Sequence, residues 1–521
     1  MARDLLFLWC RRVAAVEQPG SKQGLELAIG ASPTPTVRAA SWRAIPLRTD
    51  TDVLRLAVVA AGALWAIAFP VVGIAYRLQT FGDGALFSYA VAARSAWAFH
   101  WHNISARLFT FAAASFPAEI YVGLTGDPAG GVTLYGLLFF CAPLAGLAAT
   151  FAIDRSAGRE FFVFGCASTA SLCPLVFGCP TEMWMAHAVF WPALAAAHCA
   201  PRTLAGLLLV FALIAALVFS HEGAVLLAGA IVVSLAPRGG RDPSLHRAAA
   251  AFVTALLAWT AVKFLFPPDA YIAGILMRLA LGVFDPARLD GDLLRLIVGA
   301  LVGYALAASL LWRLGVAKAE DWALAFVLPL LATHWVWSDQ TLHADNRYYL
   351  RTVLIVATPA LGLSAAIQVL RAEARGVTLA QSVASACAAI PSRALVRVLL
   401  ILALIHAVET AKFTSAWTAY REAVRTLAAA GASDPLLGDP RFVSADRLAP
   451  QAARLRWSST SPYLSVLVTP GLAPAHLVVA PEVNFFWISC KTATTSAESA
   501  GALPAATRDM LQVYSCLHRR N

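Results

Sequence analysis

Residues 53–75 read VLRLAVVAAGALWAIAFPVVGIA, and residues 76–84 continue YRLQTFGDG. A helix needs about 20 mostly apolar residues, rising 1.5 Å each, to cross a bilayer, and the first stretch meets that length with Arg55 as its one charge. Six residues past its end begins Phe81-Gly82-Asp83-Gly84. Glycine on both sides leaves the Asp83 carboxylate sterically open and lets the backbone turn sharply. A turn aspartate beside glycine is also a common local device.

The rest of the chain repeats the first pattern. Of 521 residues 59% are apolar and 13% charged, with mean hydropathy +0.68, against about 45–50% and about 25% in soluble domains. That balance excludes a soluble globular chain and excludes disorder. The net charge of +10 is not the footprint of a nucleic-acid binder, because the bases sit between apolar runs. Arg outnumbers Lys 35 to 5, the usage of a GC-rich bacterial genome. The sequence therefore predicts an all-α polytopic membrane protein in a bacterial inner membrane. Eleven spans are expected, at 53–75, 130–153, 161–178, 183–200, 203–219, 222–236, 248–267, 293–312, 321–337, 350–370 and 394–410.

Basic loops stay cytoplasmic. With the N-terminus inside, the cytoplasmic segments hold 18 Lys and Arg and the opposite loops 6; without residues 1–52 the ratio is 11 to 6. This orientation puts 1–52 inside as a disordered extension, 53–410 in the membrane with a long outer loop at 76–129, and the 411–521 tail outside. Residues 1–52 lack the features of a secretory signal, since Leu5–Cys10 is short and Arg11 and Arg12 follow it. From Ala85 to Phe116 the outer loop mixes apolar and polar residues, predicting interfacial helices with Trp97 and Trp101 at headgroup depth. In the tail, Thr410–Ala429 predicts a helix with Trp417, Tyr420 and Val424 on one face and Lys412, Arg421 and Arg425 available to headgroups. Short strands are expected at 463–468, 476–479 and 484–489, making a small α/β unit that packs on the outer loops. Most cysteines read as apolar filler; Cys490 and Cys516, on the oxidising side, are placed to form a disulfide or to stay free. No zinc spacing is present.

Acids concentrate on the predicted outer side, 11 against 6 bases. Glu182 and Glu222 each open a short apolar span, where they either cap a helix or line a site. His221 precedes Glu222, and His334, Asp339, His343, Asp345, Arg347, Tyr348 and Tyr349 cluster before span ten.

These features resemble the GT-C superfamily of integral-membrane glycosyltransferases, which use polyprenyl-phosphate sugars. A first span leads into a long outer loop with amphipathic helices, Asp83 follows closely, further acids and His sit at outer span ends (Pro180-Thr181-Glu182, Ser220-His221-Glu222), and a modest outer tail closes the chain. Many members carry paired acids in the first loop, whereas Asp83 has no acidic neighbour; Glu119, later in the loop, would supply a second carboxylate. The resemblance implies sugar transfer from a polyprenyl-phosphate donor to a glycan, lipid or protein acceptor, with no nucleic acid involved.

Inverting transfer needs one base and a stabilised leaving phosphate. Asp83 is the expected base. Arg347 beside Tyr348, with Arg351 one turn on, is expected to meet the phosphate, or else to anchor the helix at the interface. Glu182, His221, Glu222, His334, His343 and Asp345 complete the expected binding site. No cofactor is required, although Asp83, Glu119 and Glu222 would suit a divalent metal if they converged. A transporter or flippase of a lipid-linked intermediate, or a non-catalytic scaffold, are the competing readings; transport would call for ionisable groups near mid-membrane and an internal repeat. Single cysteines placed in 338–349 should react with an impermeant thiol reagent from outside the cell; reaction only from the cytoplasm would reverse the orientation.

Overall fold

The computed structural model describes residues 50–156, 158–266, 292–316, 319–337, 342–373, 392–430, 441–457 and 459–480. The N-terminal extension, the strand expected at 484–489 and the pairing of Cys490 with Cys516 lie outside the described residues.

The described chain is mostly helical. Helix α1 (Asp50–Ala75) leads through a 3-10 turn at Leu78–Thr80 into α2 (Asp83–Ala92) and α3 (Ala96–Asn103). Helix α4 (Leu108–Thr125) contains a π-turn at Phe111–Ser115. Then come α5 (Pro128–Phe140), α6 (Ala142–Ile153), α7 (Glu160–Ser171), α8 (Cys173–Val176), α9 (Glu182–Cys199), α10 (Leu204–Val218), α11 (Ala224–Leu235) and α12 (Pro243–Leu265). The C-terminal part adds α13 (Asp292–Arg313), α14 (Ala319–Trp337), α15 (Ala344–Glu373) and α16 (Ser392–Ala430). It closes with β1 (Phe442–Ser444), α17 (Pro450–Ala453), α18 (Ser461–Val468) and β2 (Leu477–Val479).

Among the described residues, four helical stretches are long and apolar enough to cross a membrane: Val53–Ala75, Leu108–Thr125, Pro243–Leu265 and Val353–Leu370. The pair α5 and α6 counts as a fifth if its 40° bend belongs to one span. Pro143 lies just past the break; it has no N–H to give and its ring crowds the carbonyl four residues back. Glu160–Val176, Leu204–Val218 and Ala224–Arg238 are shorter apolar helices. Leu64, Val71, Leu208, Leu257 and Phe264 are exposed on the helices, a surface that water would penalise and hydrocarbon would not.

Inside, the bundle closes on aromatic packing. Phe69, Phe139, Phe140, Phe177 and Trp184 are fully buried and pack ring to ring, and the Trp184 indole donates to the Phe139 carbonyl at 3.1 Å. At the other end of these helices from Asp83, Asp154 accepts from the amides of Ser156 and Phe162, and Arg55 pairs with Glu160.

The segment expected to form the first outer loop differs from that expectation. Helix α2 does not lie on the surface: Gly84 to Leu86 and Ser88 to Ala92 are buried, packed against α5 and α18. Trp97 does stand exposed, edge-on to Trp101. Helix α16 runs unbroken for 39 residues, with Trp417, Tyr420 and Val424 buried on one face as expected. Of its bases, Arg425 stands exposed, while Lys412 and Arg421 are turned onto backbone carbonyls. Lys412 donates to the Val336 carbonyl, Arg421 to that of Tyr76, and Arg425 pairs with Glu422. Residues 463–468 form part of helix α18 and not a strand. Pro462 starts the helix and Ser461 through Leu467 are all buried, so no period-two alternation exists to separate strand from helix. The expected strand at 476–479 is β2, which pairs in parallel with β1, Val443 opposite Val478.

Gly84 is where the turn meets the bundle: a Cβ there would fall 2.3 Å from the Gln79 carbonyl oxygen and 2.6 Å from Pro180 Cγ. Replacing Gly84 by Ala should lower stability by about 1–3 kcal/mol, read as a drop in thermal unfolding temperature of the purified protein; an unchanged temperature would show that the turn has slack.

Candidate functional site

The site is built where several helices end. After α1, the chain reaches Gly82 at φ 57°, ψ −134°, a conformation open to glycine and strained for other residues. Asp83 follows as the first residue of α2. Phe81 is locked edge-on between Phe413 and Trp417 of α16, and the Trp417 indole donates to the Tyr76 carbonyl at 2.9 Å. A Cβ on Gly82 would lie 3.7 Å from both Cys179 Sγ and the Trp457 indole, so the C-terminal unit rests on the Asp83 turn.

Beside it lies a buried ionic cluster. Arg107, just ahead of α4, donates through Nη1 to Glu182 Oε1 at 2.6 Å and through Nε and Nη2 to Glu222 Oε2 at 3.0 and 2.8 Å. Lys263, in the last turn of α12, donates to Glu222 Oε1 at 2.9 Å. Glu182 is only 2% exposed. Thr181 caps α9, accepting from the Met183 amide, so Glu182 is not needed as the cap and its carboxylate is committed to Arg107. Burial alone would raise Glu182, but the Arg107 guanidinium outweighs it and holds the carboxyl below its usual range. Arg107 is likewise more firmly protonated than a free arginine, since Glu182 and Glu222 outweigh its burial.

Asp83 is in a different state. Its carboxylate accepts no hydrogen bond from a described side chain. Burial pushes it up to about 6, against the opposing charge of Arg351 in α15 and with a further upward push from Glu182. An acid poised there is suited to taking a proton near neutral pH. Tyr135 of α5 is buried within reach of the charges of Glu182 and Asp83.

Of the residues singled out from sequence, Asp83, Glu182, His221 and Glu222 come together. Glu119 is not brought to Asp83: it faces the amides of Ala96 and Trp97 at the start of α3 and the Arg94 guanidinium. The convergence of Asp83, Glu119 and Glu222 on a metal is therefore not formed, and among the described residues no three or more His, Cys, Asp or Glu are placed to hold a metal ion together. His334 is exposed on α14. His343 is half-buried in the turn before α15. Asp345, Arg347 and Tyr348 occupy the first turns of α15, and their side chains lie outside the described residues. Arg107 and Lys263 carry positive charge that sequence reasoning did not assign to the site, beside Arg351, which it expected one turn after Arg347. Their signal was present: two acids at the ends of apolar helices require counter-ions, and each of these bases falls on the same predicted side. Comparison with family models, with curated proteins and with solved structures finds no match for this chain.

Removing one partner of a buried pair strands the others. Arg107→Ala should therefore cost about 3–5 kcal/mol of stability, measured as the unfolding temperature of detergent-purified protein. The double variant Arg107→Ala, Glu222→Gln should recover part of that loss; no recovery would mean that Arg107 acts on Glu222 only weakly.

Proposed function

We propose that this chain is an inverting membrane glycosyltransferase of GT-C type, N-terminus in and C-terminus out, its eleven spans delivering Asp83 to the outer face. The observation that carries the reading is the contrast within one cluster. Glu182 and Glu222 are neutralised by Arg107 and Lys263, whereas Asp83 keeps an open carboxylate with an elevated pKa next to the Arg351 charge. A carboxylate in that state is a base; a paired one is a strut.

In the proposed reaction, a hydroxyl of the acceptor glycan, lipid or protein attacks C1 of the sugar on the face opposite the phosphate. Asp83 takes the hydroxyl proton as the new C1–O bond forms. The old C1–O bond to the polyprenyl phosphate breaks and its electron pair leaves on the phosphate oxygen. Arg351 offsets that charge, and Arg347 stands one turn earlier on α15. The order of charges supports surface chemistry over transport, because the ionic groups gather at helix ends and not along the middle of the bundle. The C-terminal unit, resting on the Gly82–Asp83 turn, forms one wall of the acceptor side.

Asp83→Asn should abolish sugar incorporation into outer-face polymer, lipid or protein while the protein accumulates normally in the membrane. Undiminished transfer would remove Asp83 as base. The pH dependence has a definite sign: the base works deprotonated, so transfer should rise with pH through about 6 and then level. A profile flat from pH 5 to 7 would contradict the assignment.

A further inference from the structure

The ring of His221 is held in one tautomer by the backbone. The Gly223 N–H donates to Nδ1 at 2.9 Å, so in the neutral imidazole the proton resides on Nε2, which is a donor only. A Cβ at position 223 would lie 2.7 Å from Ile355 Cδ1 and 3.3 Å from Met183 Sδ, so both side chains would have to move aside for it. The glycine thus lets its amide approach the ring. His221 is 8% exposed, and among the described residues no acceptor takes its Nε2 hydrogen.

The charged groups facing the ring come from four segments: Arg107 ahead of α4, Glu182 of α9, Glu222 beside it, and Arg351 of α15. Burial and the Arg107 charge push the imidazole down to about 4, so it remains a neutral donor across the physiological range. Arg107 and Lys263 are committed to Glu182 and Glu222. When Asp83 takes up a proton, the cluster gains one positive charge. The ligand atom that matches an N–H donor in such a cluster is an anionic oxygen, since charge-assisted hydrogen bonds are the stronger ones.

We propose that the Nε2–H of His221 binds a phosphate oxygen of the ligand at the Asp83 site, as a fixed donor and not as an acid or base. This rests on the transferase reading for the identity of the phosphate but not for its recognition. The role is positioning, and the backbone lock makes it independent of pH.

The test uses the purified full-length protein in detergent with farnesyl phosphate, inorganic phosphate and farnesol as probes. His221→Phe keeps an aromatic ring without the donor; His221→Asn keeps a donor. Farnesyl phosphate affinity should fall about tenfold in His221→Phe, the order of one charge-assisted hydrogen bond, and stay within about threefold in His221→Asn. Farnesol binding should not change in either. Loss confined to farnesyl phosphate marks a lipid phosphate as ligand, and equal loss for inorganic phosphate marks the free anion; both support the donor role. Wild-type affinity in His221→Phe, or a parallel loss for farnesol, would overturn it. Should His221→Phe not fold, the histidine Nε2–H resonance of 15N-labelled wild type decides: it shifts on adding farnesyl phosphate, and a stationary resonance refutes the contact. Asp83→Asn, which removes a negative charge from the site, should bind farnesyl phosphate at least as tightly as the wild type, so binding without transfer in that variant separates this inference from failure of the transferase reading.

Discussion

Arg107 between Glu182 and Glu222 is the interaction on which the site depends. One guanidinium, with Lys263 completing the balance, joins four stretches of chain that are far apart in sequence: the loop before α4, the start of α9, the α10–α11 turn and the end of α12. Ion pairs on a protein surface contribute little, but these groups are buried, and each would be costly alone. Satisfied together they act as a cross-brace. The brace also sorts the acids into two kinds, since Glu182 and Glu222 are held as paired carboxylates while Asp83 stands outside the pairing and is raised by burial.

The sequence made the membrane character legible because hydropathy is a sum over many residues and survives local error. The Phe81–Gly84 turn was equally readable: glycine at a left-handed position and glycine at a close approach are both decided locally, and both occur, at Gly82 and Gly84. The acids of the site were found from their cost in an apolar setting. Their partners were missed because pairing is a property of the fold: nothing in the chain near Arg107 announces Glu182, 75 positions away. Glu119 was misplaced for the converse reason. Its residue type suited a second carboxylate, but its helix directs it to the amides of α3. The segment at 463–468 failed because a wholly buried element loses the alternation that would identify it.

Anchoring of the Asp83 turn is divided between the membrane part and the C-terminal part. Pro180 and Gln79 crowd one side of Gly84, while Phe413, Trp417 and Trp457 bound the neighbourhood of Phe81 and Gly82 on the other. The Asp83 turn is thereby fixed by groups from both parts.

Helix α16 has a mechanical consequence. Its 39 residues correspond to a rod of about 58 Å, nearly twice the thickness of the hydrocarbon layer. An unbroken rod of that length transmits tilt without losing it in a joint. A load on the C-terminal unit would travel down this lever to Trp417 and Phe413, and from there to the ring of Phe81, two residues from Asp83.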